Sequence, residues 1–491
     1  MTPMIGLADV LAVTPLIVLF LASLIPITVK VFRGNVEQPP LATLLQGLGG
    51  IIAAAILMIT VYKLVSGQTN PTSFANALVM DGVTISVGLL VLFIGAASLL
   101  LMYDNPATRG GQFSELVFLT MSSISGMLIL IAAVDMLVVF IGLETLSLAL
   151  YMMIAISHEQ KLSKESALKY FVLGGFASAI FLYGISFLFG TVGSTYIPQI
   201  IASTGELISS SRLFLFGITL VILGFCFKVS IAPFHAWTPD VYQGAPTPHT
   251  AFMSTAVKAA SFAAFLRIIS SKALVGSENL FDFLQWLAVL TMILGNVAAL
   301  TQNNFKRMLA YSSIAHSGYL LVGVITTGVS DNMSFGASGV IFYLIAYSLM
   351  TLGAFAVVCL MEKDENHSIT VDNLAGYARK KPLMAMCLVV FMLSLAGIPP
   401  TVGFFGKFYL FTAAIGEGLL WLAIWGVLNS VISVYYYLRP IVVMYMQEGN
   451  ADDAGRPLIA TRTAILISSI FVLILGIVSG PLFSVIEKAL S

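Results

Sequence analysis

Predominantly apolar stretches, each near the roughly 20 residues a helix needs to cross a bilayer core, follow one another along the whole chain. They fall near residues 8–30, 42–65, 82–102, 114–133, 135–157, 165–190, 212–233, 248–270, 281–301, 307–326, 336–361, 383–412, 417–446 and 462–486. Short polar links separate them. The pattern predicts an all-α, polytopic membrane protein with about 14 transmembrane helices, called spans 1–14 in chain order. The longest polar link, Glu362 to Lys381, predicts a short surface helix. No link is long enough for a soluble domain, so residues 1–491 read as a single transmembrane domain. The first apolar run has no basic stretch before it and reads as a retained helix rather than a cleaved signal.

Composition sharpens this picture. Hydrophobic residues make up 58% of the 491 and charged residues 9%, against roughly 25% charged in soluble domains. Lipid is therefore the main solvent. A net charge of zero gives no footing for nucleic-acid binding. Cys226, Cys359 and Cys387 lie far apart in apolar runs and read as small core residues, without metal or disulfide spacing.

Loop charge predicts orientation, because cytoplasmic loops collect Lys and Arg. With the link after span 1 taken as cytoplasmic and the rest assigned by alternation, that side holds Lys30, Arg33, Arg109, Lys161, Lys164, Lys306, Arg307, Lys363, Arg379, Lys380, Lys381, Arg456 and Arg462. The other side holds only Lys63, Arg212, Arg267, Lys272 and Lys488. Both termini then face away from the cytoplasm.

Five basic residues remain, all inside apolar runs: Lys169, Lys228, Lys258, Lys407 and Arg439. Glu144 sits near the middle of span 5. A charge at the centre of a spanning helix costs about 2.5–3.5 kcal/mol on insertion scales. Snorkelling or a structural ion pair accounts equally well for Lys169 and Arg439, which lie near helix ends. Glu144, Lys228 and Lys258 have apolar sequence on both sides, so function is the better account of them. A free lysine, with a pKa of about 10.4, holds its proton too tightly to relay it. Burial favours the neutral amine and a nearby carboxylate favours the ammonium, so a lysine whose glutamate partner moves can load and release a proton. Glu144 and Lys228 are the natural pair.

Two spans carry breaks beside their lysines. Span 7 runs into Pro233 shortly after Lys228, and span 12 carries Pro399-Pro400 shortly before Lys407. Proline removes a backbone hydrogen bond, and carbonyls freed at membrane depth must face protein or water. An ionisable residue beside a broken helix is a transporter device. The two breaks are five spans apart, and an odd-numbered repeat inserts upside down. Spans 4–8 and 9–13 therefore read as two inverted five-helix repeats with broken spans 7 and 12. His316 shares a helical face with Ser312, Ser313 and Tyr319, a stripe able to hold water. His235 reaches the Lys228 face only if the helix continues past Pro233, and His249 reads as lying at a helix end.

The run PFHAWTPDVYQGAPTP, Pro233 to Pro248, resembles the antiporter-like membrane subunits of respiratory complex I, the proton-translocating NADH:quinone oxidoreductase, and among them the N-type. LGFCFKVSIAPFH, NNFKRMLAYSSIAHSGYLL and LSLAGIPPTVGFFGKFYL carry the same resemblance. It implies that Glu144 is a carboxylate tuning Lys228, that Lys228 holds a proton, that Lys258 connects, and that Lys407 hands the proton outward. It implies partners too: the other membrane and peripheral subunits of complex I, which would hold FMN, iron–sulfur clusters and quinone, with no cofactor on this chain, in the cell inner membrane. A cation/proton antiporter subunit is the competing reading, since the same buried lysines would serve it. A haem-binding cytochrome needs paired histidines, which the five histidines do not supply.

Overall fold

The computed structural model describes residues 7–65, 72–73, 76–105, 112–156, 161–269, 278–330, 333–362, 369–449, 451 and 458–490. Arg109, Lys272, Lys363 and Arg456 of the loop charges lie outside the described residues.

The first six apolar stretches form α1 (Leu7–Phe32), α2 (Pro40–Val65), α3 (Gly82–Asp104), α4 (Phe113–Ala132), α5 (Met136–Ala155) and α6 (Lys161–Val192). Aspartates set two of the starts: Asp81 accepts from the Thr84 amide and Asp135 from those of Leu137 and Val138, supplying amides that a helix start leaves unpaired. A two-residue ribbon, Thr72–Ser73 against Leu78–Val79, is the one strand pair among the described residues.

One helix lies where the pattern predicted a loop, α7 (Ile197–Ser210). It buries Ile197, Ile200 and Thr204, one helical stripe, with Ile201, Leu207 and Ile208 half-buried beside them. Too polar overall to read as a span, it is an amphipathic segment lying against its neighbours.

Span 7 is α8 (Arg212–Lys228), an irregular turn, and α9 (Trp237–Gly244). Span 8 is α10 (Thr247–Phe252), a π-helical turn over Met253–Val257, and α11 (Lys258–Ile269). The π turn ends immediately before Lys258, a feature common at functional sites. Next come α12 (Glu278–Leu300), α13 (Phe305–Val329) and α14 (Met333–Met361). In the polar link that follows, the described residues form a 3₁₀ turn, Val371–Leu374, and a single helical turn, α15 (Tyr377–Lys380), rather than one surface helix. Span 12 is split into α16 (Pro382–Ala396) and α17 (Val402–Gly416), followed by α18 (Leu420–Met446), α19 (Ile459–Ile477) and α20 (Ser479–Leu490).

Among the described residues, 12 helices are long and apolar enough to cross a membrane, α10 to α11 counting as one. The chain is a multi-pass, all-α membrane protein. Burial is uneven: within an apolar 18-residue stretch of each span, 94% of residues are buried in Thr247–Ile269, Phe305–Val329 and Ser334–Met361, against 22% in Asp9–Phe32. Lys258 and His316 therefore sit on a central shaft shielded by surrounding helices, while Glu144, Lys228 and Lys407 are carried by helices around it.

Two helical hairpins pack alike. α4 meets α5 where a Cβ on Gly126 would stand 2.5 Å from the Leu146 nitrogen and one on Gly142 2.8 Å from the Leu130 nitrogen. α12 meets α13 the same way, with Gly295 2.5 Å from the Ala315 nitrogen and Gly318 2.6 Å from Met292 Cγ. Small residues allow such backbone approach in membranes. These hairpins open the two segments read as repeats.

Candidate functional site

The break after Lys228 is held by other helices. Ser230 adopts a left-handed φ of 61°. The Val229 carbonyl accepts from Ser317 of α13 at 2.5 Å, the Phe227 carbonyl from Trp237 Nε1 at 3.0 Å, and the Ala232 amide donates to Thr291 of α12 at 3.0 Å. Groups that lose helical partners are thus satisfied by protein, as membrane depth requires.

Lys228 sits at the last residue of α8, 8% exposed. Its ammonium donates to Ser147 of α5 at 2.7 Å and to the Tyr170 hydroxyl of α6 at 3.0 Å. Glu144 does not close an ion pair with it: among the described residues its carboxylate accepts from Ser178 of α6. Ser147 and Ser178 both line a cavity between α5, α6 and α8 that Lys228 also lines, with about 20 Å³ of space for water centres, enough for about one water. Glu144 and Lys228 are therefore linked through hydroxyls and a water-sized space.

Lys258, 3% exposed, donates to both the carbonyl and the hydroxyl of Ser313, at 2.5 and 2.6 Å, and its ammonium stands 4.8 Å over the Tyr347 ring. Tyr347 in turn donates to the Ser313 hydroxyl at 2.8 Å. One turn along α13, His316 is 1% exposed, with Nδ1 2.5 Å from the Tyr343 hydroxyl and Nε2 3.0 Å from that of Tyr437. Ser312 bonds Tyr437 as well. The Ser312–Ser313–His316 stripe is thus occupied by tyrosines of α14 and α18.

Lys407, 5% exposed, reaches back across the second break. Its ammonium donates to the Leu395 and Ala396 carbonyls at 3.2 and 3.1 Å and lies 4.9 Å over the Tyr319 ring. Those carbonyls end α16, so the cation stands at the negative end of a helix dipole. Gly397, at φ 84°, turns the chain there, and a Cβ on it would lie 3.1 Å from Lys407 Cδ. Tyr319 connects onward to Asn296, which bonds Asn429 and Tyr436.

Two candidates fall outside this row. Lys169 is 42% exposed and pairs with Glu165 at 2.8 Å and Asp240 at 2.9 Å. Asp240 also accepts from Arg307 of α13 at 2.7 Å. His235 lies in the turn beyond Lys228; the helix does not continue past Pro233, and among the described residues no hydrogen bond joins His235 to the other candidates. Arg439 bonds Gln302 and Asn303 at the rim. His249 sits in the first turn of α10. The residues that sequence reasoning missed are the neutral ones, Ser147, Tyr170, Ser178, Tyr343, Tyr347 and Tyr437. Hydroxyls are too common in membrane helices to stand out singly.

Residues 133–433 match the family model described as NADH:quinone oxidoreductase/Mrp antiporter, TM. NADH-quinone oxidoreductase subunit N of Bdellovibrio bacteriovorus is 66% identical over 99% of both chains. The subunit N of Trichlorobacter lovleyi is 39% identical over 97% of this chain and 96% of its own. Among solved structures, a chain of respiratory complex I from Thermus thermophilus superposes with a TM-score of 0.80 at 32% identity, covering 96% of this chain and 99% of that one. A chain of the Mrp complex from Dietzia sp. DQ12-45-1b shares the fold, with a TM-score of 0.80 at 19% identity. The glycine-packed hairpins, the two broken spans and the full-length likeness agree: the chain belongs to the NADH:quinone oxidoreductase/Mrp antiporter transmembrane family, in its subunit N branch.

Proposed function

We propose that this chain is a proton-translocating membrane subunit of NADH:quinone oxidoreductase, passing protons along Glu144, Lys228, Lys258, His316 and Lys407. One observation carries the reading. Lys228, Lys258 and Lys407 are each 8% exposed or less, and among the described residues none has a carboxylate within 4 Å. Their partners are hydroxyls and carbonyls. A buried cation without a counter-ion is costly to fold and gives no packing advantage over leucine. A group that must alternate between ammonium and amine needs such neutral partners, which accept from either form.

The row crosses the most buried spans at Lys258 and His316 and spans both breaks, so a shift at either break changes which partners a lysine meets. Glu144 is bonded to Ser178, which shares a water-sized cavity with Lys228, so a single water there can couple the two charges. Lys169, half-exposed and doubly paired, reads as a structural clamp on α9. The alike α4–α5 and α12–α13 hairpins support the inverted-repeat reading of one transmembrane domain. Electrons would travel in partner subunits that hold FMN, iron–sulfur clusters and quinone, and the energy would arrive through displacement or charge at the subunit boundary. The setting is the cell inner membrane, both termini on the non-cytoplasmic side. The 66% identity to a subunit N favours this over a cation/proton antiporter subunit, for which the likeness is of fold.

The test is NADH-driven proton uptake by inverted vesicles carrying the assembled complex. K228A should abolish most of the uptake attributable to this subunit; wild-type uptake with K228A would remove Lys228 from the path.

A further inference from the structure

A second set of buried polar groups lies at the end of the bundle that loop charge assigns to the cytoplasm. Lys306, in the first turn of α13, is 8% exposed; its ammonium donates to the Ala245 carbonyl at 2.7 Å and stands 3.9 Å from Glu362, just past α14. The Glu362 side chain is 12% exposed and accepts from Thr247 at the start of α10 and from Asn105 at the end of α3, the latter at 3.3 Å. His249, two residues after Thr247, is 1% exposed and within electrostatic reach of Lys306. Its Nδ1 has no hydrogen-bond partner among the described residues. Cys359, buried on α14, is in reach of both Glu362 and Lys306.

A lock between helix ends would need Glu362 and Lys306 but not a buried imidazole with an orphan nitrogen, which is costly and calls for water or exchange. The surroundings show where exchange would lead. α10–α11 and α14 pack side by side in opposite directions: Thr247 meets Glu362 at one end, and Lys258 stands over Tyr347 at the other. Between these contacts lie buried His249, Ser348 and Thr351, and Ser348 Oγ also lacks a partner. Thr247 to Lys258 is about 16 Å of helix, on the order of six hydrogen-bonded steps of about 2.8 Å.

We propose that Glu362 collects protons from the cytoplasm for Lys258, with Lys306 as its switchable counter-charge and His249 as the first stop inside. This rests on the transport reading above. The Glu362 carboxylate takes a proton from bulk water, which weakens its hold on Lys306 and leaves that ammonium to the Ala245 carbonyl. The proton passes to His249 Nδ1, giving an imidazolium, and through water and the α14 hydroxyls to the neutral Lys258 amine. Lys258 becomes an ammonium held by Ser313, while His249 and Glu362 return to their starting forms.

The test compares E362Q, E362D and K228A in assembled complexes, using inverted vesicles whose outer face is the cytoplasmic one. E362Q keeps the side chain's size but cannot take up a proton, so NADH-driven uptake should fall about ten-fold or more, while E362D should stay within about two-fold of wild type. Wild-type uptake by E362Q overturns the proposal. So does E362D falling as far as E362Q in a complex of unchanged thermal stability, since a lock would behave that way. K228A separates the two levels: lost uptake there with normal E362Q refutes the entry assignment alone, whereas normal uptake in both refutes the transport reading as well.

Discussion

Gly397→Ala tests whether the second break exists to seat Lys407. Gly397 holds φ 84°, where an alanine costs about 1–2 kcal/mol. The added Cβ would also stand 3.1 Å from Lys407 Cδ and 3.3 Å from its Nζ, so the side chain must give by a few tenths of an ångström. Its bonds to the Leu395 and Ala396 carbonyls are already 3.2 and 3.1 Å, and such a shift brings them to the limit of useful geometry. Losing one charged hydrogen bond costs about 1.5–3 kcal/mol, so with the backbone strain the total reaches roughly 2.5–5 kcal/mol if one bond is lost. Gly418→Ala is the control: φ is 77° there, with nothing within 4 Å of the new Cβ, so only the backbone strain applies. Both variants should lower the thermal midpoint of the complex, G397A further. Proton uptake per NADH oxidised should drop in G397A and stay normal in G418A. Equal pumping by the two would refute the claim that Gly397 positions Lys407.

Burial pushes the Asp81 carboxyl up, but the Arg267 charge and bonds from Arg267 and Thr84 outweigh it and hold the group at about 2, below its usual 3.8. A depressed carboxyl stabilises the fold above its unfolded value and loses that contribution as pH falls through the folded one. D81N should therefore cost about 1–2 kcal/mol at neutral pH, after discounting for the side chain's 32% exposure, and the deficit should close between about pH 4 and pH 2; a pH-independent deficit in thermal unfolding would contradict this. K169A breaks a 42%-exposed pair whose Asp240 keeps Arg307, so stability should change by less than about 1 kcal/mol and proton uptake should match wild type. A pumping defect with K169A would put Lys169 back on the path.

The spans were legible because lipid imposes a length and a polarity that few residues violate. Lys228, Lys258 and Lys407 were legible for the same reason, each a lone violation in an apolar run. Their partners were not. Ser313 stood out only beside His316, not as a partner of Lys258, and Tyr170 and Tyr347 meet the lysines only through contacts between helices remote in sequence; a hydroxyl in a membrane helix is usually bonded to its own backbone, as Thr326 and Thr327 are. Lys306 and Glu362 were misleading in the opposite sense: both counted as loop charges, yet the ends of α3, α10, α13 and α14 close around them. The α7 helix escaped because it lies beside the bundle rather than through it, so the length criterion never applied. The π turn before Lys258 has no sequence mark at all.

The Ser317 hydroxyl lies 2.5 Å from the Val229 carbonyl and 3.2 Å from the Ser313 carbonyl. It has a single hydrogen to donate, and the Ser313 oxygen is also the seat of the Lys258 ammonium at 2.5 Å. Whatever loosens or tightens Lys258 on that oxygen alters the competition for one hydrogen, and the loser or winner is the bend that follows Lys228. Two lysines on different helices are thereby tied by a contact that involves neither of their charges directly.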